Sequence, residues 1–483
     1  MIRKEGRADS EAPADNLVQA HDSVSADDME ITELYRIFRE CGAVETDSRK
    51  IRGGELFYAL KGENFDGNEF AVKALEAGAA YAVVSADSRV ASDGNPRIIP
   101  VTDTLKSLQE LARYHRSMTF VCGKPLTVIG LTGTNGKTTT KELVKAVLSV
   151  RYNVTATEGN LNNSIGVPLS LLKINSDTQI AVIEMGASHP GDIAELVSVA
   201  LPNYGLITNV GKAHLQGFGS FEGVMKAKGE LYDYIQRTAD KVFLNADNPY
   251  LCRMASERPD LLTIPYGVEY QHAAVLPSSP DNPFLRLKVP VSAGDGFVEI
   301  DTSLVGAYNA DNVMAAIAVG KEFGVPLEDA AGAIRAYRPS NSRSQMVRTQ
   351  SNIIVVDAYN ANPTSMKAAI DNFRSMAADH KALMLGDMLE LGQDSVNEHL
   401  AVLRDSSAMD ADVYVVGSEF GKALDIFRNE HDGTGGDAAA RPIMHFDTSD
   451  ALAEWLGAHP LSGCAVLVKG SRGTRMEKIL PCL

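Results

Sequence analysis

A chain of 483 residues with 45% apolar content and little low-complexity sequence is too long for one ordinary hydrophobic core, and about three domains are expected. A net charge of −16 argues against nonspecific nucleic-acid binding, and no apolar run reaches the length of a bilayer span. The five cysteines, Cys41, Cys122, Cys252, Cys464 and Cys482, include no CxxC pair, which argues against a zinc site or a disulfide framework.

Residues 1–28 are polar and lack the apolar core of a signal peptide, so a disordered extension and a cytoplasmic protein are expected. A short helix is expected over 31–38. In the block 46–84, Leu56, Phe57, Ala59 and Leu60 suit a strand, 70–77 a helix and 80–84 a further strand. Asp47-Ser48-Arg49 reads equally as a turn with a surface ion pair or as a binding site. Residues 104–119 suit another helix and 123–125 a linker, giving a first domain at 29–123.

Residues 126–148 then read as a buried strand, a glycine-rich turn and an amphipathic helix. Leu126, Val128 and Ile129 supply the strand, and Leu143, Val144, Val147 and Leu148 fall on one helix face. Gly130, Gly133 and Gly136 permit a tight turn whose N–H groups converge on an anion at the helix N-terminus. Lys137 adds a mobile positive charge and Thr138 a hydroxyl suited to Mg²⁺. Leu131 stands where the strict phosphate-loop pattern has its first glycine.

Strand and helix alternate from there to residue 338, which implies a mostly parallel sheet covered on both faces. One apolar run, 179–183, terminates in Glu184; another, 204–210, is followed by His214. Taken singly, Glu184 reads equally as a helix-capping or ion-paired carboxylate and His214 as a satisfied loop histidine; ligands gather beyond the carboxyl ends of parallel strands, so together with the loop they are expected to meet in one cleft. A helix over 221–235 carries Lys228, which by itself reads as a solvated lysine. Residues 265–305 are richer in short β-like runs. In the helical stretch 306–324, Asn309 and Asn312 share a face, either as a cap plus an exposed amide or as partners for a purine edge. Residues 338–343 resemble an interdomain connection, so a middle domain at 124–338 is followed by a last one at 339–483. The latter reads as a second α/β domain, with strands at 353–356, 382–385, 413–416 and 465–468 and polar strand ends at Asp357, Asp387 and Lys469-Gly470-Ser471-Arg472.

Together these motifs resemble the Mur ligase family, ATP-dependent enzymes that join an amine to a carboxylate on a cell-wall precursor. Four stretches carry the likeness: TDSR with FYALKGENFDG near the start, GNLNNSIGVPLSLL at 159–172, DAYNANPTSM at 357–366, and LGDMLELG with KGSRG near the end. Within the family they look most like the members that add D-alanyl-D-alanine to UDP-N-acetylmuramoyl-tripeptide, completing the peptidoglycan pentapeptide precursor. Siblings that add a single diamino acid more often show KGHE at 469–472. A phosphate-loop kinase or nucleotide switch would need neither the first block nor a third α/β domain.

The resemblance implies an α/β fold of three domains: a central phosphate-loop ATPase domain with a parallel sheet, a smaller N-terminal α/β domain and a C-terminal Rossmann-like one. It implies that Ser48, Arg49 and the 62–67 loop hold the uridine diphosphate part of the substrate. Gly133, Thr134, Asn135, Gly136, Lys137, Thr138 and Thr139 would bind ATP, with Asn312 at adenine, Arg343 at the γ-phosphate and Asp357 at the nucleotide. Thr138 and Glu184 would ligate one Mg²⁺, and His214 and Lys228, the latter as a carbamate, would help hold a second. Lys137, His214, Lys228 and Arg343 are the expected catalytic set. Asn160, Asn162 and Asn163 fall in the substrate-facing loop, and Tyr359, Asn360 and Asn362 would place nucleotide or dipeptide. The expected partners are those two substrates alone, with no nucleic acid or membrane insertion, and the expected state is a monomer. Many family members have Gly-Arg where this chain has Ser342-Arg343.

Overall fold

The computed structural model describes residues 29–62, 65–277, 282–291, 296–339, 343, 345–432 and 442–483. The extension expected at 1–28, residues 63 and 64 of the 62–67 loop, and Ser342 lie outside the described residues. The chain forms two compact units that divide between Leu111 and Ala112.

The N-terminal unit is built on a parallel sheet in the order Val44–Glu45, Leu56–Tyr58, Tyr81–Ser85, Ile98–Val101. Its core joins Phe57, Ala82 and Val84 of the strands to Ala71, Ala74 and Leu75 of the helix Ala71–Glu76. The first helix, Ile31–Cys41, buries Leu34, Ile37 and Phe38, which share one face at the helical period. Gly42 ends it in a left-handed conformation, its N–H bonded to Phe38 O.

The second unit holds two larger sheets. One is six-stranded and wholly parallel, in the order Val154–Ala156, Ile180–Glu184, Thr127–Thr132, Tyr204–Ile207, Lys241–Asn245, Leu262–Tyr266. The strand that feeds the phosphate loop is therefore interior, with the Glu184 strand on one side and the strand leading to His214 on the other. That strand is buried along almost its whole length, as parallel strands covered on both faces must be. Behind it, Leu143, Val144, Val147 and Leu148 of the helix Lys137–Leu148 are fully buried against the helix Ala310–Glu322. At roughly 1.5–3 kcal/mol per buried aliphatic side chain, this face anchors the loop's helix firmly. The β-rich stretch 265–305 resolves into an antiparallel sheet of Ala274–Leu276, Phe284–Pro290 and Phe297–Val305.

The other six-stranded sheet runs Gln345–Arg348, Ile353–Asp357, Cys464–Lys469, His380–Gly386, Asp412–Val416, Met444–Phe446, parallel except for its first pair. Apolar clusters cover it on both faces, one around Leu383, Leu403 and Phe420, the other around Met384, Leu456 and Val468. The expected three-domain α/β architecture is thus present. The stretch 123–125 is more than a linker: Phe120–Val121 and Lys124–Pro125 pair as a hairpin turning on Cys122 and Gly123, both at positive φ.

Candidate active site

The phosphate loop joins the strand Thr127–Thr132 to the helix Lys137–Leu148 through two left-handed glycines, Gly133 at φ +141° and Gly136 at φ +78°. A Cβ on Gly133 would stand 2.0 Å from Thr208 Oγ1, and one on Gly136 2.6 Å from Asn312 Oδ1. Both positions therefore need glycine for conformation and for space. The loop is tied to residues 208–211. Thr134 N–H donates to Asn209 O (2.9 Å), Asn135 N–H to Asn209 Oδ1 (2.9 Å), and Thr208 Oγ1 to Asn135 O (2.6 Å). Lys137 Nζ donates to the carbonyls of Gly133 (2.9 Å) and Thr134 (3.1 Å). Burial draws its ammonium down to about 8, against the favourable charge of Glu184, and Arg343 lowers it further.

Thr138 Oγ1 lies 3.0 and 3.2 Å from the two carboxylate oxygens of Glu184, and Asn162 Nδ2 donates to Glu184 Oε1 (2.9 Å). These are hard oxygen donors at the end of a phosphate loop. They fit Mg²⁺, which takes one or two protein oxygens and completes its shell with phosphate oxygens and water. No three His, Cys, Asp or Glu side chains gather as an all-protein metal cage among the described residues.

Sequence reasoning missed two further members of this cluster. Lys141, one helical turn beyond Lys137, is fully buried; its Nζ donates to Thr157 O and lies 4.0 Å from Glu184 Oε2. Thr157 Oγ1 in turn accepts the N–H of Glu184 (3.0 Å). The sole sequence signal was a lysine on the buried side of the loop's helix.

His214 follows its strand by a short loop and adopts φ +49°. Its Nδ1 pairs with Glu390 Oε2 of the C-terminal domain, and Phe218 meets the ring edge-on. Burial lowers its pKa, with Glu390 opposing the shift. Lys228 is buried in the helix Phe221–Thr238, so the solvated-lysine reading is overturned. Its Nζ donates to Ala187 O (3.4 Å) and lies 5.5 Å from the centre of the Phe218 ring. Burial first, then the charge of Lys137, draws it down to about 7.

Asn309 and Asn312 are 1% and 6% exposed, so neither is an exposed amide. Asn309 occupies the N-cap position without capping; its amide donates to Val305 O (2.9 Å). Asn312 donates to Asn309 Oδ1 (2.9 Å) and accepts from Thr140 Oγ1 (2.9 Å), which leaves one N–H and one lone pair for a ligand.

From the C-terminal domain, the Arg343 guanidinium lies 3.8 Å from the centre of the Tyr359 ring, with Arg472 at 5.7 Å. Asp357 is ion-paired with the buried Lys469, a partner the sequence did not disclose. Asn362 closes a capping box with Ser365 at the start of the helix Pro363–Ser375, and its Nδ2 donates to Asn135 Oδ1 of the phosphate loop (2.8 Å). Asn163 accepts from Gly166 N–H (2.8 Å) at the head of the helix Gly166–Leu171, and Asn360 Oδ1 accepts from Ala361 N–H (2.9 Å).

A single cleft of about 1010 Å³ gathers Thr134, Asn135, Gly136, Lys137, Thr139, Asn160, Asn162, Asn163, Glu184, His214 and Asn312 from the middle domain, with Arg343, Asp357, Tyr359, Asn360 and Asn362 facing them. Gly133, Thr138 and Lys228 are not in its lining. Ser48 and Arg49 belong to the N-terminal unit. There Ser48 opens a short 3₁₀ turn, and Arg49, 81% exposed at its side chain, forms a two-bond ion pair with Asp47. That pair holds the Asp47 carboxyl down at about 2.

Family models for a Mur ligase catalytic domain, middle domain and glutamate ligase domain match residues 41–116, 131–320 and 342–472 in turn. The UDP-N-acetylmuramoyl-tripeptide–D-alanyl-D-alanine ligase of Bacillus subtilis is 35% identical over 454 residues, covering 90% of this chain and 92% of its own. The chain belongs to the Mur ligase family. The Escherichia coli ligase of the same description is 33% identical, covering 91% of this Mur ligase and 93% of itself. Among solved structures, MurF from Acinetobacter baumannii superimposes with a TM-score of 0.80 at 28% identity, covering 93% of this chain and 97% of that one. MurF from Thermotoga maritima, solved in complex with ADP, gives 0.76 at 27% identity, with 91% and 96% covered. As a Mur ligase the chain is an ATP-dependent peptide ligase. No helix among its described residues is long and apolar enough to cross a membrane.

Proposed function

We propose that this Mur ligase adds D-alanyl-D-alanine to UDP-N-acetylmuramoyl-tripeptide at the expense of ATP, yielding the pentapeptide precursor of peptidoglycan in the cytoplasm, and that it works as a monomer. The observation that carries the reading is the near full-length likeness to ligases of that substrate pair. Residues 29–123 hold the uridine diphosphate portion through Ser48 and Arg49, residues 124–338 the nucleotide, and residues 339–483 admit the dipeptide.

A carboxylate is a poor electrophile, so the tripeptide carboxylate first attacks the γ-phosphorus, breaking the bond to ADP and giving an acyl phosphate. The dipeptide amine then attacks the acyl carbon, loses a proton and expels phosphate. Lys137 and Arg343 place positive charge on the transferred phosphoryl group, and the loop N–H groups orient the chain of phosphates. Thr138 and Glu184 hold Mg²⁺, which when bound neutralises charge on the phosphate oxygens. Asn312 offers its remaining N–H and lone pair to adenine. Asp357 meets the nucleotide from across the cleft; Asn160, Asn162, Asn163, Tyr359, Asn360 and Asn362 align the substrates.

The burial of Lys228 supports a carbamate at that position. An amine drawn down to about 7 is substantially neutral at physiological pH, and only the neutral amine adds to CO₂. Addition forms an N–C bond and releases a proton, so that the buried amine near Lys137 becomes an anionic oxygen donor that, with His214, would help hold a second Mg²⁺.

Phosphate release from ATP tests the reading. It is expected to require the UDP-linked tripeptide and D-alanyl-D-alanine together; release driven equally well by a simple hydroxyl acceptor would refute it.

A further inference from the structure

We propose that Arg472 holds the C-terminal carboxylate of the incoming dipeptide, an inference that rests on the ligase reading and gives the acceptor its place in the cleft. Five charged side chains of the C-terminal domain line that cleft: Arg343, Asp357, Glu390, Lys469 and Arg472. Four of them are committed. Asp357 and Lys469 neutralise each other, Glu390 stands against His214, and Arg343 serves the transferred phosphoryl group in the proposed reaction. Arg472 is exposed, and its guanidinium has no carboxylate or carbonyl partner among the described residues. A dipeptide brings a carboxylate into the cleft, and a carboxylate drawn out of water needs charged or hydrogen-bonding partners. A guanidinium meets that need with two parallel N–H groups, one for each oxygen.

The position suits a ligand two residues long. Arg343 lies 3.8 Å and Arg472 5.7 Å from the centre of the same Tyr359 ring. The two guanidinium carbons are therefore within about 10 Å of each other, while a dipeptide spans about 7 Å. With its carboxylate on Arg472, the dipeptide can present its amine to the acyl phosphate whose phosphoryl group Arg343 holds. The base of Arg472 is also fixed. Ser471, 2% exposed, donates its hydroxyl hydrogen to Ala361 O (3.3 Å) and accepts from Leu389 N–H (3.0 Å), and its own N–H donates to Asp387 O (3.0 Å). Thr474 Oγ1 donates to Ser471 O (2.6 Å), closing the short turn Arg472–Thr474. These bonds join the carboxyl ends of three neighbouring strands, Ile353–Asp357, Cys464–Lys469 and His380–Gly386, where parallel sheets receive their ligands.

Phosphate release by the full chain, with D-alanyl-D-alanine and with its C-terminal amide as acceptors, tests the assignment. The amide keeps the reacting amine and lacks the carboxylate. In the parent, kcat/KM for the amide should be about 10–100-fold below that for the acid, as expected when a charged hydrogen-bonding group is left without its partner. Arg472→Ala should raise KM for the acid by a similar factor, leave KM for ATP within about threefold, and treat acid and amide alike. Arg472→Lys, which keeps the charge and loses the fork, should recover part of the loss. An Arg472→Ala protein that loses equally on both acceptors, so that the parent's preference for the acid survives, would show that Arg472 serves the fold or another ligand and would overturn the inference. So would a parent that uses acid and amide equally well. A parent that turns over neither acceptor would refute the ligase reading, and the inference with it.

Discussion

Replacing Gly136 with alanine tests whether the phosphate loop depends on backbone geometry more than on any side chain. Alanine in the left-handed conformation seen there (φ +78°) costs about 1–2 kcal/mol. Its Cβ would also lie 2.6 Å from Asn312 Oδ1, well inside contact distance. That amide has no freedom to swing aside, because it accepts from Thr140 Oγ1 and donates to Asn309 Oδ1. Moving it forfeits two hydrogen bonds worth about 1 kcal/mol each, so the whole perturbation is about 3 kcal/mol. If the amide yields, the urea midpoint falls; if the loop yields, the same energy appears as roughly 100-fold weaker ATP binding. Urea unfolding and titration calorimetry with ATP on the same preparation measure both. Asn312→Ala by itself forfeits the same two hydrogen bonds, so the double variant should lose about 2 kcal/mol less in stability than the sum of the two single variants, provided the amide is what yields. A Gly136→Ala protein within about 0.5 kcal/mol of the parent on both measurements would refute the reasoning.

Asn362→Ala removes a helix cap and the bond to Asn135, so a loss of about 1 kcal/mol in urea stability is expected, with a raised KM for ATP because the loop loses its tie to the C-terminal domain; a stability loss with KM unmoved would refute the tie. Lys228→Ala should be inactive, and the parent's activity should fall in CO₂-depleted buffer and return with bicarbonate; full activity of the variant at low CO₂ would rule out the carbamate. His399 provides a pH test. Burial lowers its pKa below the ordinary 6.5, and its Nε2 accepts Met388 N–H (2.9 Å) while Nδ1 donates to Ser395 O (2.7 Å), so the ring must stay neutral in the fold. The unfolded chain takes up the proton first, so this contribution is fully present above 6.5 and is lost as pH falls from there toward the lower folded value, at up to about 1.4 kcal/mol per pH unit. Urea midpoints between pH 7.5 and 5.5 should fall more steeply for the parent than for His399→Gln, and parallel curves would contradict this.

The elements that proved legible are those whose signal is local. The strand, glycines and helix of the phosphate loop lie within one short stretch, and the apolar runs announce where Glu184 and His214 sit. Short edge strands were harder: Val154–Ala156, Gln345–Arg348 and Met444–Phe446 have three or four residues each, too few to show a period. The residues missed in the site are defined by partners far away in sequence. Lys141 becomes part of the metal-side cluster through Thr157 and Glu184, Lys469 through Asp357, and Glu390 through His214. Of the two readings open for Asn309 and Asn312, the cap plus an exposed amide fails because a polar side chain reads as solvated until the strap it fastens, here to Val305 and Thr140, is in view.

The loop's ties also set an order of events during synthesis. Its strand is flanked on both sides by strands made later, its amides are held by residues 208–211, and Gly136 is closed over by Asn312. A nascent chain thus carries the coding for its nucleotide cradle long before it has the means to shape it. Until the helix Ala310–Glu322 leaves the ribosome, the growing polypeptide holds an unfinished anion site with its apolar backing uncovered, and this interval is when chaperone capture and aggregation compete for it.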